Sequence, residues 1–396
     1  MPLLESSLRI ASHRIGRPTA PHDRSLSPLN AGFTRADIER ARRYRRPLYA
    51  AAAVGLALDL AILGLAAFGP LGDGLYAAFE DLAWWGAALA YPALLVGVLT
   101  AASLPLAIWR DHVRERRYDL STRTFGGWLA DRLKSLAVEL VLATAGLGGL
   151  VALVHAVPGA WPAVAAPAAA GLVFLLVFLA PVVLEPIFNR FAPVPDEALA
   201  GRLRALADDA GVPVRDVLVA DASRRTRRQN AYVSGLGRTR RVVVFDTLVE
   251  AASPRRIALV VAHELGHRRE RHVAKLTAHA MAGAAGAVLL GWAVLGSRVG
   301  DPRRLPLVLF GGLVLELLAL PLLAAVSRRF EREADVASLD LTRDLEAFED
   351  AHRELARSNV SDLEPPRLVY LALFTHPTPP ERIALARRRA ADLRAA

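Results

Sequence analysis

Two histidines four residues apart with a glutamate between them, His263-Glu264-Leu265-Gly266-His267, are the residues of this chain best spaced for chemistry. On an α-helix, positions i and i+4 share a face and lie about 6 Å apart along the axis. Two imidazoles so placed can grip one metal ion, and the glutamate between them reaches water at that ion. The pattern serves metal-assisted hydrolysis of an amide bond. With ten histidines in 396 residues, it arises by chance in on the order of one such chain in a hundred. The run before it, residues 257–262, is apolar. The histidines therefore arrive at the end of a buried face rather than on a solvated one.

A catalytic zinc needs three protein ligands and one open position. The chain has no cysteine, which excludes disulfides, thiolate ligands and a cysteine nucleophile. Any metal must then be held by histidine and carboxylate, and a carboxylate is expected from another helix close in space. Residues 327–335 read Ser-Arg-Arg-Phe-Glu-Arg-Glu-Ala-Asp and set Glu331 and Asp335 on one helical face. One of the two can bind metal while the other accepts a hydrogen bond from a ligand imidazole and fixes its tautomer. Taken alone, the same residues also read as a solvated face of Glu–Arg pairs.

The elements that must carry these residues are mostly apolar. Hydrophobic residues make up 53% of the chain, and the mean hydropathy is +0.29. A bilayer core is crossed by about 20 apolar residues in a helix. Six segments qualify: 47–69, 84–108, 136–155, 163–187, 275–295 and 305–326. Trp84, Trp85, Trp109 and Trp161 lie near span ends, where interfacial aromatics belong. The fold expected is mainly α: a polytopic membrane helix bundle of about six spans with a small cytosolic α+β zinc-peptidase domain. Its parts are a basic, disordered segment 1–46, four spans in 47–187, an insert 188–274, two more spans in 275–326, and a tail 327–396. That tail begins with the third-ligand helix and continues in basic cytosolic helices.

The net charge of +10 sits between the apolar runs, so it reads as cytosolic loops and not as a nucleic-acid surface. The segment before the first span, the loop 110–134, the insert and the tail are all basic. The loop 70–83 holds Asp73, Glu80 and Asp81 with no Lys or Arg, and the loop 156–162 is uncharged. Both termini and the insert are thus expected in the cytosol of a multi-pass protein of a bacterial plasma membrane. Only the loop with Arg298, Arg303 and Arg304 disagrees. Asp59, Glu139, His279 and Glu316 fall within spans and would face a wet interior. In the insert, a helix over 197–210 and strands over 217–220, 231–236 and 241–246 are expected. The last two strands flank a turn at Gly237-Arg238-Thr239, and Pro254 opens the histidine helix.

Six stretches in order make the chain resemble the type I CAAX prenyl endopeptidases, integral-membrane zinc proteases of the gluzincin group. They are Pro186-Ile187-Phe188-Asn189-Arg190-Phe191, then Asn230-Ala231-Tyr232, then the run to Phe245-Asp246-Thr247-Leu248, the histidine motif, Phe330-Glu331 through Ala334-Asp335, and Thr375-His376-Pro377 with Glu381-Arg382. The match covers roughly residues 180–390. The resemblance implies His263, His267 and Glu331 as ligands of one Zn2+, Glu264 as base and Asp335 as the partner of a ligand histidine. It further implies that Asn230 holds substrate backbone and that His376 and Arg382 stabilise the oxyanion. The function expected is peptide-bond hydrolysis at the cytosolic membrane face. The substrate is a peptide or protein, membrane-associated or lipidated, and the lipid bilayer is the other partner. Two alternatives stand beside it: an HtpX-type membrane quality-control protease, and a transporter or scaffold with a closed structural metal site.

Overall fold

Inside a bilayer an apolar stretch satisfies its backbone only as helix or closed barrel, and this chain uses helices. The computed structural model describes residues 27–395. Its helices long and apolar enough to cross a membrane are Arg35–Phe68, Trp84–Arg117, Phe125–Ala156, Trp161–Phe188, His272–Gly300 and Pro302–Thr342. They contain the six hydropathy spans, save Gly69 at the end of the first, and run longer. The first begins at Arg35, so residues 35–46 are helical and not a disordered segment. The cause is a capping box: the Thr34 hydroxyl accepts from the Asp37 amide at 3.1 Å, and the Asp37 carboxylate accepts from the Thr34 amide at 2.9 Å. Residues 1–26 of that expected segment lie outside the described residues.

Two of the four ionisable residues within spans meet their needs along their own helix. Glu139 pairs with Arg132 at 3.0 Å, and the His279 ring bonds the Lys275 carbonyl at 2.6 Å. The one loop that broke the charge pattern is partly neutralised. Arg303 pairs with Glu80 at 3.2 Å, from the acidic loop 70–83.

The insert folds around a four-stranded sheet of order β1-β2-β4-β3, with β1 Phe191–Pro193, β2 Asp216–Ala220, β3 Ala231–Ser234 and β4 Arg241–Phe245. β2 and β4 run parallel; the other two pairs are antiparallel. Val242, Val243 and Val244 of the central strand are fully buried, so both sheet faces are covered. One cover is the helix Glu197–Asp209, capped by the Asp196 carboxylate and packed through Leu199 and Leu203. The same face, through Val242 and Val244, also packs Ile257, Val261 and Leu265 of the histidine helix, Pro254–Arg269. β1 escapes the hydropathy pattern because it is three residues long and ends in proline. β3 stops at Ser234, two residues earlier than expected. Gly235 and Gly237 then take left-handed backbone at φ +81° and +55°, and a 3-10 turn over Gly237–Thr239 closes the hairpin.

Candidate active site

The histidine helix starts at an N-cap serine, Ser253, with Pro254 in its first turn. Its buried face carries Ile257 through Leu265, and His263 lies on that face at 8% exposure. The Pro302–Thr342 helix, here the carboxylate helix, crosses it at Gly266. A Cβ at Gly266 would stand 3.1 Å from the Ala334 carbonyl oxygen and 3.2 Å from the Ala334 Cα. The absent side chain is therefore what lets the two backbones approach closely enough for their side chains to converge.

They converge on one point. His263 Nε2 lies 3.3 Å from Glu331 Oε2, His267 Nε2 lies 3.2 Å from Glu331 Oε1, and the two Nε2 atoms are 3.2 Å apart. Ligand atoms about 2.0–2.1 Å from a tetrahedral ion stand about 3.3 Å from one another, which is the spacing found. Buried Glu331 Oε2 accepts no hydrogen bond, an orphan that a cation would satisfy. Burial and the Arg382 charge oppose a proton on His263, yet Asp335 and Glu331 outweigh them and raise its pKa. The same two carboxylates would attract a metal cation, whose binding would displace that proton. Among the described residues, these three are the group of His and acidic side chains that could hold a metal ion.

A second layer of side chains surrounds these three residues. Asp335, with no exposure, accepts from His263 Nδ1 at 3.0 Å. Arg382 Nε donates to the other Asp335 oxygen at 2.9 Å, and its Nη2 lies 3.8 Å from Glu331 Oε2. Burial opposes the Arg382 charge, but Asp335 overcomes it and raises the pKa. His376 reaches in from a loop, its Nε2 3.2 Å from Glu331 Oε1, with the side chain 60% exposed. Glu264 points into a cleft of about 550 Å³ whose lining also includes Asn230, His352, His376 and Arg382. Burial raises the Glu264 pKa. Asn230 sits at the head of β3, an edge strand, and its carboxamide oxygen accepts from the Ala231 amide at 3.0 Å.

Two residues in this layer escaped the sequence reading. His272 Nδ1 is 3.0 Å from His267 Nδ1, and His272 Nε2 is 2.9 Å from Glu333 Oε2. His272 follows the motif by five residues, across a break where Arg271 takes a left-handed conformation at φ +57°. No single helical face connects the two, so periodicity could not link them.

Two family models divide the chain between them. The model described as CAAX prenyl protease N-terminal, five membrane helices, matches residues 22–190, and that of peptidase family M48 matches residues 193–390, half of the chain. The chain belongs to peptidase family M48. It is thus a multi-pass membrane metalloendopeptidase. A Bacillus subtilis relative named as the uncharacterized metalloprotease YhfN is 28% identical over 310 residues, 74% of this chain and 71% of its own length. The Saccharomyces cerevisiae CAAX prenyl protease 1 is 33% identical over 193 residues, 48% of this chain and 42% of the yeast protein. The crystal structure of S. mikatae Ste24p superposes with a TM-score of 0.75 at 23% identity over 91% of both chains, a likeness of fold. These relatives are a metalloprotease and CAAX-type proteins, so they lend the quality-control reading no added weight. Membership of a peptidase family also speaks against a scaffold with a closed structural metal.

Proposed function

We propose that this M48 peptidase is a zinc endopeptidase that cuts peptide segments of membrane-associated or lipidated proteins at the cytosolic face. His263, His267 and Glu331 hold the ion. When bound, zinc supplies Lewis acidity toward the scissile carbonyl and toward water. Glu264 takes the proton of the attacking water and returns it to the leaving amine. His376, solvent-accessible and beside Glu331, steadies the charge growing on the carbonyl oxygen. Arg382, fixed by Asp335, adds positive potential from behind the ligands. Asn230, at the head of the edge strand β3, holds the substrate backbone in an extended form.

The observation that carries the reading is the meeting of two imidazole Nε2 atoms, 3.2 Å apart, with the two Glu331 carboxylate oxygens at 3.3 and 3.2 Å, while Glu264 opens on the same cleft. Closeness to the bilayer supports the substrate class. Glu331 lies five residues past the expected span end at 326, roughly 8 Å along the helix. Names of relatives such as CAAX prenyl protease 1 favour lipid-modified substrates. The decisive variant is Glu264→Gln. It should keep one zinc per chain by elemental analysis and lose at least a thousandfold in cleavage of a reporter peptide. Cleavage at the wild-type rate would remove Glu264 as base; loss of the metal as well would make it a structural residue.

A further inference from the structure

We infer that His272 and Glu333 form a hydrogen-bonded relay that orients the ligand His267, an inference that rests on the metal assignment above. His267 Nε2 faces Glu331 and His263, so on metal binding that nitrogen carries no proton. The ring proton must then sit on Nδ1, whose neighbour is His272 Nδ1 at 3.0 Å. His272 Nδ1 therefore accepts, which leaves its own proton on Nε2. That nitrogen donates to Glu333 Oε2 at 2.9 Å. Glu333 Oε1 in turn accepts from Arg329 Nε at 2.8 Å. Choosing one nitrogen for the metal fixes every donor and acceptor along the line, with no group left over.

The surroundings hold the relay in place. His272 is 1% exposed, and its ring stacks on Phe330 with centroids 4.3 Å apart and planes 9° apart. Phe330 and Glu333 flank Glu331 on the carboxylate helix, so the element that supplies the third ligand also aims the second. The two histidines are held differently. His263 meets the Asp335 carboxylate directly, and Arg382 offsets that charge. His267 meets a neutral imidazole, with its carboxylate one ring further away. Outer partners of this kind typically tune metal affinity ten- to a hundredfold.

The test uses full-length protein in detergent and measures zinc affinity by chelator competition. In His272→Phe the stack on Phe330 is kept but the acceptor is lost, and zinc affinity should fall ten- to a hundredfold. In His272→Asn the side-chain oxygen can take the place of Nδ1, and affinity should return to within about threefold of wild type despite the lost packing. Glu333→Gln should lie between the two. Thermal unfolding of the metal-free proteins reads packing separately. If His272→Asn binds zinc as poorly as His272→Phe, or if His272→Phe binds as tightly as wild type, the relay is wrong. If wild-type protein itself holds no zinc, the metal assignment fails first.

Discussion

At the residue scale, the site is built from groups whose neighbours dictate their protonation, and His352 shows how far this goes. Its Nδ1 donates to the Phe348 carbonyl at 2.8 Å, and its ring stacks on Phe348 at 4.0 Å. Burial pulls its pKa down to about 3, and the nearby Arg382 charge acts in the same direction. Asp335, 3.9 Å from Nε2, opposes them without prevailing. Between the ordinary histidine value near 6.5 and about 3, the unfolded chain binds a proton that the folded chain refuses. Stability must therefore fall as pH falls through that window, by up to about 1.4 kcal/mol per pH unit from this group. His352→Phe removes the titration while keeping an aromatic ring. Its melting temperature should decline less than that of wild type between pH 6.5 and 4. Parallel declines in detergent would show that His352 is protonated in the fold. Glu331 and Asp335 could be named in advance because they stand four residues apart on one helix, and Glu264 because it lies between two histidines at that spacing. His272 and Glu333 could not. Their link to His267 crosses a helix break and a second chain segment, and no spacing rule spans either.

At the element scale, two helices far apart in sequence must touch for a metal site to exist, and Gly266 is where they touch. Gly266→Val would drive a branched side chain into the Ala334 backbone, which is fully buried and has little room to yield. Overpacking of this kind costs about 1–3 kcal/mol. Because the strain falls between the ligand-bearing helices, metal retention should suffer more than the fold does. The expected result is zinc binding weakened more than tenfold, with a melting temperature lowered by a few degrees. Wild-type zinc affinity in this variant would mean that the helices can separate without disturbing Glu331. The histidine helix was legible from its motif and the apolar run before it, and the carboxylate helix from the spacing of Glu331 and Asp335 just past the last span. Their contact was not, since the glycine inside the motif reads equally well as a neutral filler. β1 was missed for a related reason: three residues ending in proline show no alternation, and only pairing with β2 makes them a strand.

At the scale of the whole molecule, the two ends of the chain fix the topology together. Ala31 and Phe33, just before the first span, are buried against Ala356, Leu363 and Ile383 of the tail. Arg353 and Arg387 donate to the Ala31 and Asn30 carbonyls, each at 2.8 Å. Both ends of the described chain therefore lie on one side of the helix bundle, as six crossings require, and the cluster of His263, His267 and Glu331 lies with them. On the other side, Arg303 and Glu80 join two short loops. From the excess of arginine around the termini and the insert we propose that their side faces the cytosol. The absence of cysteine gives a clean way to test it, because any thiol introduced is the only one. Asp392→Cys, near the exposed end of the last helix, and Gly159→Cys, in an exposed loop with open space at its Cβ, report the two sides. A membrane-impermeant maleimide should label Gly159→Cys in intact cells, and Asp392→Cys only after permeabilisation. The reverse pattern would put the peptidase site outside, where a basic insert would break the charge rule that every loop but one obeys. Labelling of both from one side would overturn the count of crossings itself.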